Sequence, residues 1–70
     1  MGRLAKRSLV VAGHATSLAL EPPFWTVLEA LARRRKLSLA GLIGEIDAER
    51  GEGPLASACR LTALQNNRAE

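Results

Sequence analysis

The stretch Gly13–Trp25, GHATSLALEPPFW, constrains the fold more than any other part of the chain. Thr16, Leu18 and Leu20 alternate with Ala15, Ser17 and Ala19, the period of a half-buried strand. The first set is apolar enough to cover a core; the second is small and polar. Pro22 and Pro23 then stop the strand, because proline donates no ladder hydrogen bond, and they suit the first turn of a helix. Upstream, Ser8–Val11 is rich in β-branched and apolar residues too, and its pattern leaves open whether it continues the strand past Gly13, a residue that often marks a bulge. No other segment stands out as a partner. A strand alone cannot satisfy its own backbone N–H and C=O groups, so the simplest resolution is antiparallel pairing with its own copy across a two-fold axis.

Length strengthens that expectation. A 70-residue chain forms one domain and buries only about 60% of its unfolded surface. Its single cysteine, Cys59, excludes an intramolecular disulfide and a cysteine-rich zinc site. Of the other common ways to stabilise so small a core, very regular helix packing and oligomerisation, oligomerisation leads. With Phe24 and Trp25 the only aromatics, that core must be mainly aliphatic.

Three helices follow the strand. The first, over about 22–36, carries Phe24, Val27, Leu28 and Leu31 on one face, with Trp25 beside them, and ends in the cations RRRK. The second is N-capped by Ser38, carries Leu39, Leu42, Ile43 and Ile46 at helical spacing, and stops at Gly51. The third, from Leu55 to about Asn66, has a thin stripe of Ala58, Leu61 and Leu64. Residues 1–7 read as a flexible basic arm, 8–66 as the domain and 67–70 as a frayed tail. The expected fold is thus mainly α with one short strand. The expected core of an intertwined homodimer is Leu18, Leu20, Trp25, Leu28, Leu42, Ile43 and Ile46.

Charge points to a polyanion. Residues 1–40 carry +5 and residues 41–70 carry −2. Enzyme chemistry has little to stand on: there is one histidine, one cysteine, no metal-ligand spacing and no phosphate or dinucleotide fingerprint. No cofactor or metal is expected. His14, beside Gly13, suits a structural hydrogen bond at a strand bend, and Cys59 a small buried position. No apolar run approaches the ~20 residues that span a membrane. The run LVVAG behind the N-terminal cations is too short for a secretory signal, and a cytoplasmic location fits the unpaired cysteine.

Arg7, Ser8, Ala12, Gly13, His14, Thr16, Ser17, Leu20, Glu21, Pro22, Phe24 and Trp25, followed by GEIDAERG at 44–51 and by Leu55, Ser57, Ala58 and Arg60, form a pattern. Across about residues 6–64 it resembles a small bacterial ribbon–helix–helix domain of the Arc/MetJ type. The resemblance implies a two-stranded antiparallel ribbon between the subunits of a homodimer, laid in the major groove of DNA, and a role in transcription regulation.

Carried onto this sequence, the resemblance puts Ala15, Ser17 and Ala19 toward the bases. Phosphates fall to Lys6, Arg7 and the start of the second helix, Ser38, Leu39, Ala40 and Gly41. Position 15 departs from the pattern, holding Ala where an Arg is expected. Side chains so plain imply modest sequence specificity. The alternative is an antitoxin-like dimerisation or adaptor module, binding a protein partner through 52–66 without reading bases.

Overall fold

The computed structural model describes residues 3–66. Two strands come first: β1 (Ala5–Val11) and β2 (His14–Leu20). Three helices follow: α1 (Pro22–Arg34), α2 (Leu39–Glu49) and α3 (Leu55–Asn66). A ribbon followed by helices is therefore correct, and so is the third helix.

The expectation of one strand per chain, completed by a second subunit, is corrected. β1 and β2 pair antiparallel within one chain, from Ala5↔Leu20 to Val11↔His14. Ala12 and Gly13 link them as a two-residue turn with φ of 53° and 83°, the positive pair that a type I′ hairpin turn needs. Gly13 serves this turn rather than a bulge. A local hairpin satisfies the strand's backbone groups with almost no loop to close, so the argument for an intersubunit ribbon loses its premise. Ala5, Lys6 and Arg7, expected in a flexible arm, are the first residues of β1. The rest of the arm through residue 2 and the tail 67–70 lie outside the described residues.

Helix ends follow local chemistry. Pro22 and Pro23 occupy the first two positions of α1. The helix stops at Arg34, two residues earlier than expected. Leu37 N–H donates to Ala32 O at 2.9 Å and Lys36 N–H to Arg33 O at 3.1 Å, the paired bonds of a Schellman ending. Lys36 sits at its left-handed position, φ 60°, where glycine is usual. Ser38 caps α2, its Oγ accepting the Gly41 N–H at 2.9 Å. A Cβ at position 41 would lie 3.0 Å from that oxygen, so glycine makes the cap fit. At Gly44 an added Cβ would meet nothing within 4 Å, so no close approach within the chain explains that glycine.

One face of the hairpin closes the core. Val11, Leu18 and Leu20 are buried with Trp25, Leu28, Leu31 and Ala32 of α1, Leu42, Ile43 and Ile46 of α2, and Cys59 and Ala63 of α3. All seven residues expected to be shared between two chains are thus buried inside one. β1 packs on α2, β2 on α3, and α1 touches both other helices.

Candidate nucleic-acid interface

The register sorts the ribbon into two faces. The pairs Ala5↔Leu20, Arg7↔Leu18 and Leu9↔Thr16 turn toward the helices; Lys6↔Ala19, Ser8↔Ser17 and Val10↔Ala15 turn away. Ala15 and Ser17 are exposed and Ala19 is half-buried, so the three residues expected to face bases share the outward face. β1 adds Lys6, Ser8 and Val10, all exposed. Ser8 and Val10 were missed as site residues because the alternation of β1 is disguised. Its inward positions include a cation, Arg7, which breaks the apolar–polar rhythm.

Arg7 is held against the body of the protein. Its Nη1 donates to Glu29 Oε2 at 2.6 Å, and its guanidinium lies 4.7 Å from the centre of the Trp25 ring. Trp25 in turn donates its Nε1–H to Ala5 O at 2.8 Å, pinning the start of β1 to α1. Such an arginine stacks and pairs at once, covering an aromatic while keeping its charge compensated. Of the two neighbouring cations expected at phosphates, Lys6 therefore stands on the outward face and Arg7 beneath the ribbon.

At the start of α2, Ser38, Leu39, Ala40 and Gly41 form a capped N-terminus. The Gly41 N–H is taken by the cap, while Leu39 and Ala40, as the first helical residues, have no intrahelical acceptor for theirs. A Cβ at Gly41 would crowd the Ser38 oxygen, so glycine lets the capped turn close.

Other polar groups hold the domain together. Arg60 on α3 grips the Glu21 carboxylate, Nε to Oε1 at 3.0 Å and Nη2 to Oε2 at 3.4 Å. This hydrogen bonding from Arg60 lowers the Glu21 pKa below its ordinary value. His14 is exposed beside the turn, its carbonyl accepting from Thr16 Oγ1 at 3.5 Å. Burial pushes the Cys59 thiol up to about 11, with the Asp47 charge adding to the shift, so the thiolate needed for redox chemistry is disfavoured. Among the described residues no group of three or more His, Cys, Asp and Glu could hold a metal, and no helix is long and apolar enough to cross a membrane.

A second surface lies on the helices. Leu61 and Leu64 on α3 are 58% and 62% exposed. Beside them runs a groove of about 340 Å³, lined in part by Glu45, Glu49, Arg50, Leu61, Thr62 and Gln65.

An antiparallel ribbon leading into a helical pair, with a capped second helix, defines a class of small ribbon-and-helix domain. The chain belongs to the ribbon–helix–helix domain family, whose model matches residues 4–66. Among solved structures it is similar to an uncharacterized protein from Bordetella pertussis Tohama I, with a TM-score of 0.81 and 36% sequence identity. That match covers 93% of this chain and 56% of the other, so the chain spans little more than half the length of that protein. None of the curated proteins matches the chain significantly.

Proposed function

We propose that this chain is a non-enzymatic, cytoplasmic DNA-binding protein that regulates transcription as a homodimer, placing the outward ribbon face in the major groove. The observation that carries the reading is the composition of that face. Lys6, Ser8, Val10, Ala15, Ser17 and Ala19 include one cation, no acid and no bulky side chain. Two strands lie about 4.8 Å apart, and with side chains this small they fit a groove about 12 Å wide. Lys6 and the N-terminal N–H groups of α2 supply phosphate contacts. Arg7 is left out of that set because Glu29 and Trp25 hold it. A second copy doubles both contributions. Its docking surface is an open ribbon edge or the exposed leucines of α3.

Binding of this kind is mostly electrostatic, so it is weakly specific and strongly salt-dependent. Fluorescence anisotropy with a random-sequence duplex should show affinity falling steeply between about 50 and 200 mM salt, and falling further in Lys6→Glu. Flat affinity across that range would count against the reading. Sedimentation equilibrium at micromolar protein tests the dimer, which a folded monomer would exclude.

The exposed Leu61 and Leu64 beside the groove favour a second reading, an adaptor that binds a protein partner through 52–66. Absence of DNA binding in both wild type and Lys6→Glu supports it over the first.

A further inference from the structure

The outward ribbon face lacks the usual tools for reading bases. Adenine and guanine are most often read by Asn, Gln, Arg or Lys reaching two atoms at once. No Asn or Gln occurs before Gln65, Arg7 is turned inward to Glu29, and His14, exposed beside the turn, pairs with Val11 rather than with a residue of the outward set. Among the described residues of the two strands, only Lys6 remains on the outward face, at the end of the ribbon far from the turn.

What the face offers instead is apolar. Val10 is 64% exposed, whereas its neighbour Val11 is buried. Its cross-strand partner is Ala15, so the two make one aliphatic patch next to the turn, and Ala19 adds a second beside Lys6. Between them the paired hydroxyls of Ser8 and Ser17 can donate or accept and therefore bond to either kind of base edge. In the major groove the apolar feature of a base is the 5-methyl group of thymine. No carboxylate lies between Ala5 and Leu20, so the phosphates flanking such a site meet no repulsion from the ribbon.

We propose that this face selects DNA by its pyrimidine 5-methyl groups, with Val10 as the principal reader, Ala15 and Ala19 as secondary ones, and Lys6 as the phosphate anchor. The inference rests on the DNA-binding reading above and adds the chemical group recognised. It makes thymine-rich duplex the preferred ligand, and it extends to 5-methylcytosine, which presents the same methyl in the same groove.

The test compares an A·T-rich duplex with the same duplex in which deoxyuridine replaces thymidine. Base pairing and the polar groove pattern are unchanged; only the methyl groups go. Wild-type protein should bind the uridine duplex about fourfold more weakly for each methyl it covers. Val10→Ser, an exposed substitution whose folding is checked by circular dichroism, should lose most of that ratio while keeping its salt dependence. In a G·C duplex, methylating cytosine at C5 should raise wild-type affinity. Equal affinity for the thymidine and uridine duplexes overturns the proposal. So does a ratio unchanged in Val10→Ser, which would place the methyl effect in duplex shape. No binding to any duplex at about 50 mM salt overturns the DNA-binding reading itself, and this inference with it.

Discussion

The two faces of the ribbon are made by alternate residues of the same strands, yet they differ in almost every physical respect. The inward face carries Val11, Leu18 and Leu20 into the core and anchors Arg7 between Glu29 and the Trp25 ring. The outward face, Lys6, Ser8, Val10, Ala15, Ser17 and Ala19, turns away from the helices and bears one charge. Two adjacent cations show the contrast most sharply. Arg7 contributes to stability and Lys6 to surface potential, although they are neighbours in sequence. A strand's two-residue period separates a core-facing set from a solvent-facing set at the scale of a single residue.

The largest effect that can break this comparison comes from below the ribbon. Trp25→Ala removes the ring under Arg7 and the bond to Ala5 O. A loss of about 3–5 kcal/mol is expected, enough to unfold much of so small a domain. Denaturant titration followed by circular dichroism measures it, and a midpoint near wild type would mean that the ribbon does not depend on this anchor.

Arg7→Ala should cost about 1–2 kcal/mol, combining the half-exposed Glu29 pair with the stacking on Trp25. Lys6→Ala should stay within about 0.5 kcal/mol while weakening DNA binding. Equal stability losses at the two positions would erase the distinction between the faces.

The turn that joins the strands offers a smaller handle. Ala12 adopts a left-handed conformation, φ 53°, which costs an L-residue roughly 1–2 kcal/mol. Asparagine tolerates that region, and Asn-Gly is the favoured pair for this turn. Ala12→Asn should therefore raise stability by about 1 kcal/mol, read as a higher denaturation midpoint. A lower midpoint would argue that the hairpin is not the conformation in solution.

The smallest effect is a pH dependence at the far end of β2. Arg60 lowers the Glu21 pKa in the folded state. A depressed carboxylate stabilises the fold above its unfolded pKa, and that contribution is lost as pH falls through the lower folded value. Wild type should thus be slightly more stable than Glu21→Gln at neutral pH, with the difference closing in the acid range below the ordinary carboxylate value of 4.5. A difference that persists unchanged at low pH would mean that charge plays no part in the Glu21–Arg60 contact.

Most of the framework was legible in the chain itself. The strand period of His14–Leu20, the proline start of α1, the Ser38 cap, the Gly51 stop and the apolar stripes of the helices are written in local spacing, and α2 and α3 fall where that spacing puts them. The same alternation placed Ala15, Ser17 and Ala19 on one face. β1 was not legible, because an arginine at an inward position looks like part of a solvated arm until a tryptophan and a glutamate from α1 are brought to it. Nor was the Ala12–Gly13 turn, since alanine carries no local preference for positive φ.

What the sequence determined by itself, then, is the type of β2 and of the three helices and which of their residues are apolar, because periodicity and capping act over a few neighbouring residues. What only the tertiary structure decided is where β2 finds its partner and which of Lys6 and Arg7 faces outward. The first rests on a two-residue turn whose alanine gives no local signal, the second on contacts between residues far apart in the chain, such as Arg7 with Glu29 and Ala5 with Trp25. No local pattern encodes them.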